Sequence, residues 1–240
     1  MRCGHYQNRI KRMNELESYE SRISNNKPLI ITELTIVLLI IWLANLSGFI
    51  SFNETPVLFL FGWLSLSLRG LGWRSVGLKR PARWRRTLLL GIATGVVCVF
   101  FTFLLPLLVS LTGKSPNLSR FAPLEGNFPL LLMKLAEVWS LTVFGEELAF
   151  RGYLMSRVAE LAGESRTAWA VSLVVVSVLF GVGHTYQGVS GAVAAALGGL
   201  VYGALYLWTG RNLWAPIITH GVFDTLVFVL IFWGKYPGVW

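Results

Sequence analysis

Glu146 and Glu147 stand side by side after an apolar run, Phe128 to Phe144, and Arg151 follows four residues after Glu147. An ionisable side chain at the centre of a membrane helix costs about 2.5–3.5 kcal/mol on insertion scales. Three such groups within six residues are either ordinary charges at a membrane surface or a polar site inside the bilayer. On a helix, Glu147 and Arg151 form an i,i+4 pair in the favourable order, and mutual neutralisation lowers the cost of burying both. Glu146 points about 100° away from Glu147. It has no obvious local partner, so its carboxylate is free to serve as a general base. Glu146 is therefore the reactive candidate and Glu147 with Arg151 the supporting pair.

The other polar residues of the apolar segments are few. Asp224 is the chain's one aspartate, and two of its three histidines, His184 and His220, lie in or at the ends of apolar runs. Polar groups in such places are expensive and mark buried sites. His220 and Asp224 are four apart and share a helix face. Two readings are open for them. They form a hydrogen bond that orients helices, or they form a catalytic or metal-binding pair in which Asp224 fixes the tautomer of His220. His184 follows Phe180-Gly-Val-Gly and reads equally well as a helix-end residue or a ligand.

The elements that must position these groups are membrane helices. Hydrophobic residues make up 54% of the 240 and charged residues only 14%, against about a quarter in soluble domains. The mean hydropathy is +0.60. The expected fold is all-α, a polytopic transmembrane bundle of about seven to eight helices behind a polar N-terminal tail. The tail covers residues 1–28, and residues 29–240 read as a single membrane domain. Spans are expected at about Leu29–Ile50, Val57–Leu68, Thr87–Leu111, from Phe128 onward, Thr167–Gly183, Val189–Thr209 and Leu213–Trp233. The second is short, and the fourth meets no strong breaker before Gly163.

The net charge of +9 follows from basic loops rather than from a nucleic-acid surface. Arg69, Arg74, Lys79, Arg80, Arg83, Arg85 and Arg86, interleaved with Trp73 and Trp84, suit a headgroup interface. Lys and Arg asymmetry puts the tail and this loop in the cytoplasm, with Lys114–Asn127 and the C-terminus outside. The chain is thus expected to be a multi-pass integral membrane protein, in the plasma membrane if the source is bacterial. Its two cysteines, Cys3 and Cys98, allow no disulfide framework and no CxxC metal spacing.

Three motifs occur in order. They are Glu146-Glu147-Leu-Ala-Phe-Arg151, Phe180-Gly-Val-Gly-His184 and His220-Gly-Val-Phe-Asp224. Ahead of the last come Tyr202-Gly-Ala-Leu-Tyr206 and Thr209-Gly-Arg-Asn-Leu-Trp-Ala-Pro216. Together they resemble the CPBP family, the CAAX proteases and bacteriocin-processing enzymes also called Abi, which includes the type II CAAX prenyl endopeptidases. The resemblance spans about residues 128–232. It implies an intramembrane endopeptidase acting on a peptide or lipidated protein, by CAAX-type processing or by processing of bacteriocin-like peptides. Glu146 and His184 would activate water. His220 with Asp224 would stabilise the oxyanion, and Glu147 with Arg151 would hold the architecture.

The family is often labelled a metalloprotease. Glu146, His184, His220 and Asp224 have the chemistry for Zn²⁺, although the compact His-Glu-x-x-His spacing is missing. A metal-free, glutamate-activated water is the favoured expectation. Two other functions compete with the protease reading: a non-proteolytic membrane binding or immunity protein on the same scaffold, and a proton-coupled transporter using Glu146, His184 and Asp224. One geometric strain accompanies all three. With about 1.5 Å of rise per residue, His184 lies ~25 Å from Thr167 and near the outer face, while His220 lies nearer the inner face. They converge if the fifth helix tilts or starts deep, or if His184–Gly188 is a break that lines a cavity.

Overall fold

The computed structural model describes residues 26–46 and 54–236. Most of the N-terminal tail and the end of the first expected span lie outside the described residues. No strand occurs among those described. Helix α1 is Lys27–Leu46, α2 Thr55–Leu68, α3 Trp84–Thr102 and α4 Leu105–Thr112. A 3₁₀ turn, Ser119–Leu124, precedes the long helix α5, Phe128–Leu161. Then come α6 (Arg166–Gly183), a second 3₁₀ turn (Thr185–Gln187), α7 (Gly188–Trp208) and α8 (Trp214–Phe232). Six of these helices, α1, α3, α5, α6, α7 and α8, are long and apolar enough to cross a membrane, α7 together with the turn before it. Helix α2, with 14 residues, is the short one the sequence suggests. Its ~21 Å falls below the ~30 Å hydrocarbon core.

Local chemistry explains the boundaries. The expected third span breaks in two because Pro106 lacks an N–H and its ring clashes with the carbonyl four residues back, at Thr102. Helix α3 stops there, and Pro106 falls in the first turn of α4, where it is tolerated. Asn127 caps α5 by accepting from the Leu130 amide at 3.1 Å. Ser165 caps α6 by accepting from Ala168 at 3.1 Å. Inside α5 the backbone widens into π-turns at Val138–Thr142 and Glu147–Leu154. Such turns are frequent at functional sites.

Without a hydrophobic drive between lipid-bathed helices, close approach depends on small residues. Gly91 and Gly95 of α3 lie against α8, where a Cβ at Gly91 would come within 2.7 Å of Ile218 and one at Gly95 within 2.8 Å of the Thr219 carbonyl. Thr219 Oγ1 donates to the Gly91 carbonyl at 3.1 Å. Helices α6 and α7 meet through Gly181, Gly199 and Gly203 in the same way. One apolar cluster draws on α1 (Val37, Ile41), α2 (Leu58, Leu66), α5 (Phe150, Tyr153), α6 (Val176, Phe180) and α8 (Ile217, Ile231).

Polar contacts sort the loops into two ends. At one end Arg69 pairs with Glu33 at 2.5 Å, Ser65 donates to Glu33 at 2.6 Å, and Tyr153 donates to Ser65 at 3.1 Å. Tyr206 donates to the Val76 carbonyl and Asn212 to the Lys79 carbonyl, so the 209–213 loop joins the basic 69–86 loop. At the other end the Asn117 amide donates to Gln187, Ser190 donates to Lys114, and the Gly126 amide donates to Phe232. Helix α2 therefore runs back alongside α1 and returns Arg69 to the level of Glu33.

Candidate functional site

The three motifs meet where α5, α6, α7 and α8 pack together. Glu147 and Arg151 are buried and joined, Arg151 Nη1 donating to Glu147 Oε1 at 3.1 Å. The same oxygen accepts from His220 Nδ1 at 2.8 Å. A carboxylate only accepts, so Nδ1 carries the proton. Glu147 thus fixes the ring of His220, and this differs from the expectation that Asp224 does so. Asp224 Oδ2 faces the opposite nitrogen, 3.5 Å from Nε2. The physical reason is reach. Asp224 sits one turn along α8 from His220, while Glu147 comes to Nδ1 from the facing helix.

Glu146 Oε2 also faces His220 Nε2, at 3.8 Å, and is buried with no hydrogen-bond partner among the described residues. Its other oxygen, Oε1, lies 3.5 Å from the hydroxyl of Thr55 on α2. Glu146 thus has the non-local neighbour that its own stretch of sequence does not offer, 91 residues away. His220 is clamped further by Tyr202 of α7, whose ring stacks on it at 4.7 Å with a 22° tilt. Arg151 lies over the rings of Phe180 (4.2 Å) and Tyr202 (5.3 Å). Those faces help to offset the desolvation of its guanidinium. Gly221, next to His220, leaves room for Trp139, which a Cβ there would approach to 2.4 Å. Trp139 Nε1 donates to Thr225 at 3.0 Å and ties α8 to α5.

His184 ends α6 and is half-buried. Its Nδ1 hydrogen-bonds the Phe180 carbonyl at 2.8 Å. A carbonyl accepts only, so Nδ1–H donates and Nε2 is left as an acceptor. The helix does break here, with a 3₁₀ turn and then Gly188 at φ +78°. Phe180 spans the gap, its ring 4.5 Å from that of His184 and 6.2 Å from that of His220. His184 stands one turn, about 6 Å, beyond Phe180 along α6. The depth conflict is thus reduced to a single helical turn.

The four residues considered as a zinc set do not close on one point. Among the described residues no group of three His, Cys, Asp or Glu side chains is arranged to hold a metal ion.

Thr55, Tyr202 and Trp139 escape sequence reasoning as site residues. Thr55 lies in a segment with no motif. Tyr202 stands out only as part of the Tyr-Gly-Ala-Leu-Tyr stretch.

With this geometry in hand, comparison with known proteins is specific. Residues 128–226 match the family model described as Type II CAAX prenyl endopeptidase Rce1-like. Over that segment the chain is similar to this family. The match covers all three motifs and leaves out α1 to α4. No curated protein and no solved structure matches the chain. At the level of the family, the Rce1-like match supports peptide-bond hydrolysis within a membrane.

Proposed function

We propose that the chain is an intramembrane endopeptidase of the CAAX type that cleaves a peptide bond with water activated by Glu146. The observation that carries the proposal is the buried Glu146 Oε2, without a hydrogen-bond partner among the described residues and aimed at a histidine whose other nitrogen is held by a carboxylate. A buried acceptor without a partner costs free energy, and a native site keeps one for a reason. A carboxylate oxygen in that position suits a proton acceptor for water.

In this reading Glu146 Oε2 takes a proton from water as the oxygen attacks the scissile carbonyl. His184 Nε2 accepts the water's other hydrogen bond and orients it. His220, with both nitrogens protonated, keeps Nδ1–H on Glu147 and donates Nε2–H to the developing oxyanion. Asp224 faces that nitrogen and stabilises the charged ring. The proton on Glu146 then passes to the leaving amine as the C–N bond breaks. Arg151 holds Glu147 in place and touches no reacting atom. The substrates are peptides or lipidated proteins presented from the bilayer.

The test is hydrolysis by purified protein of a peptide library that includes prenylated C-terminal peptides. Wild type should cleave a subset. Glu146→Gln should lose at least ~10²-fold in turnover, the usual minimum for removing a general base. It should stay folded, because Gln keeps the shape and loses only the basicity. Full activity in Glu146→Gln with loss in Glu147→Gln would reverse the two assignments.

A further inference from the structure

The matched segment begins at Phe128, yet the site takes a residue from α2. Thr55 opens that helix and is buried. Its Oγ1 lies 3.5 Å from Glu146 Oε1. That is the long limit of a hydrogen bond, and such bonds in unliganded sites are often long and tighten on substrate binding. Its methyl Cγ2 lies 2.6 Å from the place a Cβ on Gly145 would occupy. The glycine before Glu146 is therefore what admits Thr55. Glu54, just ahead of it, lays its carboxylate on Gly183, where a Cβ would come within 2.6 Å of Oε1. The start of α2 thus rests at once on the residue before Glu146 and the residue before His184. The other end of α2 is fixed by Ser65 and Arg69 on Glu33 and by Tyr153 on Ser65.

We infer that Thr55 is a positioning residue for Glu146. Its hydroxyl engages Oε1 and turns the other oxygen, Oε2, toward His220. A β-branched side chain has restricted χ1 freedom in a helix, and the wedge against Gly145 restricts it further. The hydroxyl direction is thereby set by the packing of α2. The consequence for catalysis rests on the reading of Glu146 as the base given above; the contact itself does not.

The experiment compares wild type with Thr55→Val, which keeps the shape and drops the hydroxyl, and with Thr55→Ser, which restores it. Two readouts are taken. In infrared difference spectra of protein labelled with ¹³C-glutamate, the Glu146 carboxyl band is the one that Glu146→Gln removes. That band should shift in Thr55→Val and return in Thr55→Ser. In peptide hydrolysis, kcat should fall about tenfold in Thr55→Val with KM unchanged, the order expected for losing a hydrogen bond to a charged group. Thr55→Ala replaces Thr55→Val in both readouts if the latter does not fold in detergent. An unshifted band overturns the inference whatever the hydrolysis shows. A shifted band with undiminished hydrolysis in Glu146→Gln leaves the contact standing and removes the reading of Glu146 as the base instead. A fall confined to KM would mean that Thr55 meets substrate rather than Glu146, and would also overturn the inference.

Discussion

At the scale of single residues, the decisive object is Glu147. It accepts from both Arg151 and His220, so it is the hinge between an ion pair and an imidazole. Removing Arg151 takes the guanidinium partner from that buried carboxylate. Loss of one partner of a buried pair costs about 3–5 kcal/mol. Arg151→Ala should therefore lower the thermal transition in detergent as well as activity. Adding Glu147→Gln should recover part of the stability, because a glutamine carbonyl still accepts from His220 Nδ1 without carrying charge. An unchanged transition in Arg151→Ala would show that the pair contributes nothing to the fold.

Secondary-structure elements set where these residues point. The π-turn at Glu147–Leu154 winds Glu147, Arg151 and Tyr153 more widely than an α-helix would. Helix α8 can deliver His220 only if it lies close to α3, and Gly91 and Gly95 permit that approach. Gly95→Leu should push α3 off the Thr219 carbonyl. Overpacking of this kind typically costs about 1–3 kcal/mol. The expected result is a lowered melting temperature with reduced turnover, whereas an exposed control such as Leu89→Ala, on the lipid-facing side of α3 at 70% exposure, should leave both nearly unchanged. Equal melting temperatures for the two variants would contradict the crossing described above.

For the molecule as a whole, the polar contacts divide the loops between two ends. The 69–86 and 209–213 loops lie together at one, and the 113–127 and 184–188 segments at the other. The positive-inside rule then predicts that the basic end faces the cytoplasm. Single cysteines at Ser75 and Ser115, both exposed, should be labelled from opposite sides of the membrane. A Cys3→Ser background removes the tail thiol, and Cys98 is buried. Labelling of both positions from the same side would refute this topology.

The chain's own sequence was enough for the helical class, the apolar spans, the three motifs and the Glu147–Arg151 pair. Each of these follows from local chemistry: transfer cost, helical period, and spacing within one element. Short-range steric rules also account for the break at Pro106 once it is seen, although the apolar run around it reads as one span. What only tertiary structure decided is which groups face each other across helices. That Glu147 rather than Asp224 holds His220 Nδ1, that Tyr202 stacks on its ring, and that Thr55 reaches Glu146 all depend on how α2, α5, α7 and α8 cross. Those crossings are set by where glycines let backbones approach. A sequence shows the glycines but not the partners that fill the space they leave.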